Sequence, residues 1–350
     1  MNNDRIPVGI LGATGMVGQE FVSFLRDHPW FDLTWLGASD RSAGKPYREA
    51  TNWRLGGEAP AYVRDIIVSD SKPAGAPRLV FSAMDASVAT EIERAFASAG
   101  HTVVSNSRNH RMDADVPLLV PEINADHLNL LAQQRKTRGW SGQIVTNPNC
   151  STIVLVMALA ALKPFGIRRV IVSTMQAISG AGYPGVASMD INANVIPFIG
   201  GEEEKMEQET QKILGDLNGS GVDPLAANVS AHCNRVPVVN GHTITVSVEF
   251  EKKPSQNEIL GAWRRWHGLP QQKGLPSAPP CPVIYMHEKD RPQPRRDVER
   301  ENGMAVFVGR LRDCPVLDYK FIALGHNTVR GAAGAAVLNA ELMQSEGWLS

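Results

Sequence analysis

The sequence has little of several features that would assign it to a common class of protein. Its four cysteines, at positions 150, 233, 281 and 314, form neither a CxxC pair nor a metal-binding pattern, which argues against a disulfide framework and against a zinc site. The charge is nearly balanced, with 35 basic and 36 acidic residues, so the electrostatic attraction that drives binding to nucleic acid or anionic membranes is missing. The partners expected are a small-molecule substrate and other copies of the chain.

Long apolar runs are also missing. No run reaches the length needed to cross a membrane. The apolar start IPVGILGATGMVG is interrupted by glycines and has no cleavage-like ending, so it does not read as a signal segment. We therefore expect no membrane contact and a reducing, cytoplasmic location. The length of 350 residues exceeds the usual size of a single core and favours two domains.

The pattern of predicted elements changes near residue 150. Before it, strand-like runs such as PVGILG, FDLTWLGAS and PRLVFSAM alternate with helical spacing, which is typical of a parallel sheet with crossover helices. After it, HTITVSVEF alternates polar and apolar residues, as a half-exposed antiparallel strand does. Residues 270–300 are rich in proline and charge and predict an ordered surface excursion or an interface arm. We therefore predict a parallel α/β domain followed by a mixed α+β domain.

A glycine repeat marks the first strand–helix junction. Gly9, Gly12, Gly15 and Gly18 recur at every third position. Glycine there permits a tight turn and lets a pyrophosphate approach the helix N-terminus, whose free N–H groups favour anions. The spacing differs from GxGxxG, so its position between a strand and a helix carries the inference. The alternative is a purely structural turn.

The loop after the second strand, GASDRSAGK, indicates which dinucleotide is bound. Ser39, Arg41, Ser42 and Lys45 favour NADP, because hydroxyl and cationic groups hold a 2′-phosphate. Asp40 keeps NAD open, since an acidic residue can hold the free ribose hydroxyl. An ordinary polar loop is the third interpretation.

Cys150 follows Asn-Pro-Asn and precedes a long apolar helix. Partial positive charge at a helix N-terminus lowers a thiol pKa and favours a nucleophilic thiolate, although a free cysteine is often only a small buried residue. The dinucleotide loop upstream favours aldehyde–acyl chemistry through a thioester. Such chemistry needs a proton acceptor, and His242, which opens a strand, is a candidate; Arg235 is one for gripping a carboxylate. Both are alternatively ordinary surface residues.

A charged helix follows in GGEEEKMEQE. Glu202 and Lys205 are three residues apart, on one helix face near its N-terminus. They suit a zwitterionic or phosphorylated substrate, or else form a solvated face, as charge runs usually do.

Several motifs in a fixed order resemble those of the aspartate-semialdehyde dehydrogenase family, particularly its archaeal and fungal branch. They span nearly the whole chain and include GATGMVGQEF, SNSRNHRM, NPNCST, QAISGAGYPG, NVIPFIGGEEEKM, NRVPVVNGHT and GHNTVRGAAGAA. The resemblance implies the reversible, NADP-dependent conversion of aspartate semialdehyde and phosphate to aspartyl phosphate. The usual direction is reductive, towards lysine, threonine and methionine.

The resemblance also implies an architecture. We expect an α/β fold with a Rossmann-type dinucleotide-binding domain over residues 1–149, completed by a C-terminal helix at 327–350. A mixed α+β catalytic and dimerisation domain is expected over residues 150–326. Assembly through this second domain into a homodimer or homotetramer is implied as well.

The resemblance further implies a role for individual residues. Cys150 is the implied acyl-forming nucleophile, exposed and partly ionised, with N–H groups of the helix start stabilising the oxyanion. His242 is the implied general acid/base, and Gln176 orients the substrate at the cysteine. Arg235 binds the substrate carboxylate and Glu202 its ammonium group.

The phosphate and cofactor ligands follow from the same motifs, and no metal is expected. Arg111 and Lys205 are the implied phosphate ligands, with Asn149 lining the site and Arg108 as an alternative to Arg111. The implied cofactor residues are Gly12, Thr14, Gly15, Met16 and Val17 at the pyrophosphate, Ser39, Arg41 and Ser42 at the 2′-phosphate, Ser82 at the ribose, and Gly180 and Asn327 at the nicotinamide.

Three other functions are compatible with parts of the same sequence. A malonyl-CoA reductase of the same fold would bind no ammonium group, so the retained Glu202 disfavours it. N-acetylglutamyl-phosphate reductase carries its cysteine in a different local motif from NPNCST. A non-catalytic NADP-binding sensor is disfavoured by the joint presence of Cys150, Gln176, Arg235 and His242.

Overall fold

The computed structural model describes residues 5–219 and 221–349. These residues form two six-stranded sheets and a short two-stranded one. The helices are α1 (Met16–Phe24), α2 (Tyr47–Ala50), α3 (Ala86–Ser98), α4 (Pro121–Asn124), α5 (Leu130–Arg138), α6 (Cys150–Ala160), α7 (Ser188–Ile191), α8 (Glu202–Ile213), α9 (Gln256–Arg265), α10 (Leu269–Lys273), α11 (Pro294–Asp297) and α12 (Gly334–Ser345). No helix in this part of the chain is long and apolar enough to cross a membrane.

The first sheet is parallel throughout and has the order β3-β2-β1-β4-β5-β6. Its strands are β1 (Ile6–Leu11), β2 (Phe31–Ala38), β3 (Ser69–Asp70), β4 (Leu79–Ser82), β5 (Thr102–Ser105) and β6 (Gln143–Thr146). The order reverses between β1 and β4, which is the switch point where parallel sheets of this class open a crevice for ligands. The predicted α/β architecture is confirmed, and the glycine loop lies at this crevice.

The second sheet is mixed and has the order β10-β7-β11-β14-β13-β12. Its strands are β7 (Ile167–Gln176), β10 (Asn228–Arg235), β11 (His242–Phe250), β12 (Val283–Met286), β13 (Val306–Asp313) and β14 (Tyr319–Gly325), and the separate pair is β8 (Asp216–Leu217) and β9 (Val222–Asp223). β11 pairs antiparallel with both neighbours and alternates buried with half-buried residues, as its sequence predicted. Three site candidates end or begin these strands: Gln176 ends β7, Arg235 ends β10 and His242 begins β11.

The proline-rich segment is less peripheral than predicted. β12 pairs parallel with β13 and completes the second sheet, while Leu275 is buried in the core of the first sheet. The prediction of a surface excursion is therefore wrong for these parts, because apolar residues between the prolines supply a strand and a core contact.

Two helices connect the sheets. α6 is apolar on every side, so it is buried along nearly its whole length against the second sheet. The chain then returns to the first sheet at its end, where a π-helical turn, Val329–Ala333, leads into α12. α12 buries Val337 and Leu342 in the same core as Val8 of β1. Cys150 and the π-helical turn thereby meet between the two sheets.

Candidate active site

Cys150 and His242 lie in direct contact. Sγ of Cys150 is 3.1 Å from Nε2 of His242. The Ala177 N–H donates to Nδ1 of His242 at 3.1 Å, so the proton of the neutral imidazole is on Nε2. The resting pair is therefore an imidazole N–H that donates to the cysteine sulfur.

The ionisation of this pair differs from the sequence prediction. Burial, with the negative charge of Glu202 adding to it, raises the pKa of Cys150 to about 12, although Arg111 and Arg235 act in the opposite direction. Burial, followed by the charge of Arg235, lowers the pKa of His242 to about 3. Cys150 is half-buried, and loss of solvation outweighs the positive groups around its sulfur, so the prediction of an exposed, partly ionised thiol is not supported.

The first turn of helix α6 is closed by a side-chain cap. Asn149 is the N-cap, and its Oδ1 accepts hydrogen bonds from the N–H groups of Ser151 and Thr152 at 2.9 and 3.2 Å. These two donors are occupied, so they cannot also stabilise an oxyanion as predicted. The N–H of Cys150 itself acts on its own sulfur, where its hydrogen bond lowers the thiol pKa against the larger effect of burial.

Glu202 is the centre of a buried polar cluster beside the cysteine. Its Oε1 accepts from Lys205 Nζ at 2.8 Å, and its Oε2 accepts from Asn149 Nδ2 at 2.8 Å and from Gln176 Nε2 at 3.3 Å. Burial alone would raise the pKa of Glu202, but Lys205 and the two amides outweigh it and hold the pKa below its usual value. The structure therefore brings Glu202, Lys205, Gln176 and Asn149 together, as the sequence predicted.

Two buried arginines lie beside this cluster. Together with Cys150 and His242 they line the site that is called the pocket below. Arg235 donates from Nη1 to the Ala177 carbonyl at 2.7 Å. Arg111 donates from Nη1 to Glu209 at 2.9 Å and from Nη2 to the Asn106 carbonyl at 2.7 Å. Both charges act on the Cys150 thiol, whereas Arg108 is exposed. This placement favours Arg111 over Arg108 as the anion ligand.

Gly180 closes one side of the pocket. A Cβ atom at this position would lie 3.0 Å from Nη1 of Arg235 and from Cε1 of His242, and 3.1 Å from Nε2 of His242. Glycine is therefore needed for the close approach of its loop. Asn327 ties this loop to the start of β11: its Oδ1 accepts from the Gly241 N–H and its Nδ2 donates to Ser179 Oγ, both at 2.8 Å.

The glycine loop has the shape required for a dinucleotide. Gly12 has φ +76°, and a Cβ there would lie 2.7 Å from the Ala83 carbonyl oxygen. Gly15 is the N-cap of α1 and carries no side chain. No cap side chain therefore occupies the first N–H groups of this helix. Gln19 Nε2 donates to the Thr14 carbonyl at 3.1 Å and steadies the turn. These features fit a bound pyrophosphate.

The remaining cofactor candidates divide into open and committed side chains. Ser39 and Arg41 are exposed at the end of β2 and Ser42 is half-buried beside them, so they are free to meet a 2′-phosphate. Ser82 is fully buried, and its hydroxyl donates to Glu93 at 2.6 Å. The prediction that this side chain meets the ribose is therefore not supported, because its hydroxyl already donates a hydrogen bond to Glu93.

Two site residues were missed from sequence. Glu209 accepts from Arg111 and, at 2.6 Å, from the Asn149 N–H; its position seven residues after Glu202, on the same helix face, was a usable signal. Gly331, in the π-helical turn, packs against Cys150, since a Cβ there would lie 2.7 Å from Cys150 Cβ. The described residues contain no group of three histidine, cysteine or acidic side chains that could hold a metal.

Comparison with known proteins assigns the chain to a family. A model described as "Semialdehyde dehydrogenase, NAD binding domain" matches residues 7–131, and "Semialdehyde dehydrogenase, dimerisation domain" matches residues 158–330. Aspartate-semialdehyde dehydrogenase of Archaeoglobus fulgidus is 51% identical over 98% of this chain and 99% of its own length. That of Schizosaccharomyces pombe is 48% identical over 97% and 98%.

Solved structures agree with the sequence comparison. The structure of aspartate semialdehyde dehydrogenase with NADP from Candida albicans has a TM-score of 0.91 and 41% identity, covering 98% of this chain and 99% of that one. Aspartate semialdehyde dehydrogenase II from Vibrio cholerae, complexed with ASA, has a TM-score of 0.76 and 26% identity over the same shares. The resemblance stated from the motifs is thereby confirmed, and the chain belongs to the aspartate-semialdehyde dehydrogenase family.

Proposed function

We propose that the protein catalyses the reversible, NADP-dependent reductive dephosphorylation of L-aspartyl 4-phosphate to L-aspartate 4-semialdehyde, in lysine, threonine and methionine biosynthesis. The observation that carries the proposal is the pocket itself. It places a cysteine and a histidine in contact, next to a buried carboxylate and two buried arginines. This set complements a molecule that has an ammonium group, a carboxylate and a phosphate around one acyl carbon.

The charged residues would bind different groups of the substrate. Glu202 is ionised and would bind the ammonium group, and the Arg235 guanidinium would bind the α-carboxylate through paired N–H donors. Arg111 and Lys205 would hold the phosphate, with Asn149 lining the same site beside Glu202. Gln176, which bonds to Glu202 in the resting site, would turn its amide to the substrate.

Cys150 forms the covalent intermediate. In the reductive direction its sulfur attacks the acyl carbon, the carbon–oxygen bond to phosphate breaks, and phosphate leaves with that electron pair. When bound, NADPH would supply the hydride that converts the resulting thioester into a thiohemiacetal alkoxide. Collapse of this alkoxide would release the aldehyde and expel the Cys150 thiolate, which takes up one proton from solvent to restore the thiol.

His242 supports this sequence first as a hydrogen-bond donor. Its Nε2–H points at the sulfur, so it would stabilise the thiolate as the thiol proton passes to an oxygen of the departing phosphate. The proposed acid/base role at Nε2 requires a proton on Nδ1, which would face the donating Ala177 N–H. Proton transfer by His242 must therefore break the hydrogen bond to Ala177, which belongs to the same loop as Gly180.

The proposal extends to organisation. The NADP-binding domain would comprise residues 1–149 with the C-terminal helix at 327–350, and residues 150–326 would form the catalytic and dimerisation domain. The burial of α12 against β1 supports this division. A cytoplasmic homodimer or homotetramer is proposed, and the dimerisation model matched over residues 158–330 supports the second domain as its interface.

The decisive experiment follows NADP reduction with L-aspartate semialdehyde, with and without inorganic phosphate. The proposed function requires reduction that depends on phosphate. Failure to reduce NADP under both conditions, while malonyl-CoA supports NADPH oxidation, would show the related reductase instead. Binding of NADP without turnover of either substrate would indicate a sensor.

A further inference from the structure

We propose that Glu209 is a positioning residue that fixes the phosphate ligand Arg111 and the nucleophile loop relative to each other. The inference rests on the proposed function, because it concerns the site at which phosphate enters and leaves. Glu209 does not have to touch the substrate. It acts through the two groups that it holds.

The contacts of Glu209 are specific and buried. The residue is 2% exposed. Its Oε1 accepts from Arg111 Nη1 at 2.9 Å, and its Oε2 accepts from the Asn149 N–H at 2.6 Å. One carboxylate thus joins a side chain of the first domain to the residue immediately before Cys150.

The same helix anchors the Arg111 loop a second time. Lys212, one turn after Glu209, is buried and donates to the carbonyls of Arg111, Asp113 and Val116 at 2.8, 2.8 and 3.0 Å. The charged residues at 202, 205, 209 and 212 therefore form one continuous face of α8. Its first half meets the proposed substrate groups and its second half holds the loop that carries Arg111.

The geometry of the guanidinium shows what Glu209 controls. Arg111 uses Nη1 for Glu209 and Nη2 for the Asn106 carbonyl, while its buried Nε has no partner among the described residues. Two fixed contacts set the plane of the guanidinium, and Glu209 supplies one of them. A glutamine at this position has one acceptor and one donor, so either Arg111 or the Asn149 N–H would face an amide N–H and be displaced.

Two opposing effects follow from removing the charge of Glu209. Arg111 would become a less compensated cation, which favours anions, but its donors would lose their orientation. Because an arginine fork binds phosphate through geometry as well as charge, we expect the loss of orientation to be the larger effect. The Michaelis constant for phosphate should therefore rise.

The test compares Glu209→Gln and Glu209→Asp with Glu204→Gln, a matched change on the exposed side of the same helix. The full-length enzyme is assayed for NADP reduction while phosphate, semialdehyde and NADP are varied in turn. For Glu209→Gln we expect KM for phosphate to rise by about tenfold or more and kcat to fall, with the other two KM values within about threefold of wild type. Glu209→Asp, which keeps the charge, should lie between wild type and Glu209→Gln. Glu204→Gln should match wild type.

Other outcomes overturn the inference. An unchanged KM for phosphate in folded Glu209→Gln would show no positioning role, and a lower one would show that Glu209 only competes for Arg111. A parallel rise of all three KM values with a lower melting temperature would show a merely structural role. If Glu209→Gln does not fold, Glu209→Asp decides by the same criteria. A wild type that needs no phosphate would overturn the proposed function and this inference together, whereas a phosphate-dependent wild type with an insensitive Glu209→Gln would overturn this inference alone.

Discussion

The cofactor loop and the catalytic pocket are built from different parts of the chain. At the cofactor loop, side chains such as Arg41 are exposed, and α1 begins after a glycine cap that carries no side chain. In the pocket, buried side chains are hydrogen-bonded to each other. Glu202, for example, accepts hydrogen bonds from Lys205, Asn149 and Gln176. A substitution in the pocket should therefore displace several groups, while one at the loop should remove a single contact.

The largest effect is expected for Cys150→Ser. A hydroxyl is a far weaker nucleophile than a thiol and forms an ester in place of a thioester, so kcat should fall by at least about a thousandfold. NADP affinity should not change, and fluorescence titration of the cofactor measures this. Cys281→Ser, at an exposed cysteine, serves as the control. Substantial turnover by Cys150→Ser would exclude the covalent mechanism.

A large effect without any loss of a reacting group is expected for Gly180→Ala. The added Cβ would meet both Arg235 and His242 at about 3 Å, which is closer than ordinary contact, so both side chains must shift. We expect kcat/KM to fall by roughly ten- to a hundredfold with little change in melting temperature. Gly56→Ala, where a Cβ meets nothing within 4 Å, should behave as wild type. Equal activity of the two variants would show that the pocket adapts more easily than its contacts indicate.

The two regions also differed in how far the sequence predicted them. The cofactor loop followed from local signals, because glycine spacing at a strand–helix junction reports backbone shape directly. The pocket joins strand ends and helices that are far apart in the chain, so the local sequence left Arg235 and His242 as either site candidates or ordinary surface residues, and only the family resemblance gave them definite roles. The alternating pattern of β11 was enough to predict an antiparallel strand, whereas β12 was hidden among prolines.

The protonation states of Cys150 and His242 could not be predicted from the sequence, for a physical reason. The helix N-terminus before Cys150 predicted a lowered pKa, but desolvation depends on which residues enclose the sulfur, and only the folded chain shows this. Likewise, the cap made by Asn149 takes two N–H groups that the sequence left open for an oxyanion. Burial by distant residues therefore outweighs the lowering of the thiol pKa that a helix N-terminus usually causes, and the local cap removes two of the predicted oxyanion donors.

A moderate effect is expected when Glu202→Gln removes one cause of the raised Cys150 pKa. In the wild type, alkylation of Cys150 by iodoacetamide should accelerate about tenfold per pH unit from pH 6 to 10, because the thiolate fraction rises in this way below the pKa. Glu202→Gln lowers that pKa, so its alkylation at pH 8 should be several-fold faster. Mass spectrometry of the Cys150 peptide separates this reaction from those of the other cysteines.

The control for this experiment is Glu204→Gln on the exposed side of α8, which should leave the alkylation rate unchanged. A plateau of the wild-type rate near pH 7 would mean that Cys150 is an ordinary activated thiolate in the free enzyme. Slower alkylation of Glu202→Gln would show that Glu202 acts on the thiol through structure and not through charge.

The smallest effect is expected in the exposed cofactor loop, for Arg41→Ala. Arg41 is exposed, so a contact with the 2′-phosphate is screened by water and salt, and KM for NADP should rise by about two- to threefold. The KM for NAD should stay constant, and the loss should shrink at higher ionic strength. Asp40→Ala separates the alternatives for this loop: an Asp40 that holds the ribose hydroxyl would make this variant poorer with NAD, whereas a solvated Asp40 would leave both cofactors unaffected. If Arg41→Ala lowered kcat/KM as much as Gly180→Ala does, the side chains of the cofactor loop would depend on each other as those of the pocket do.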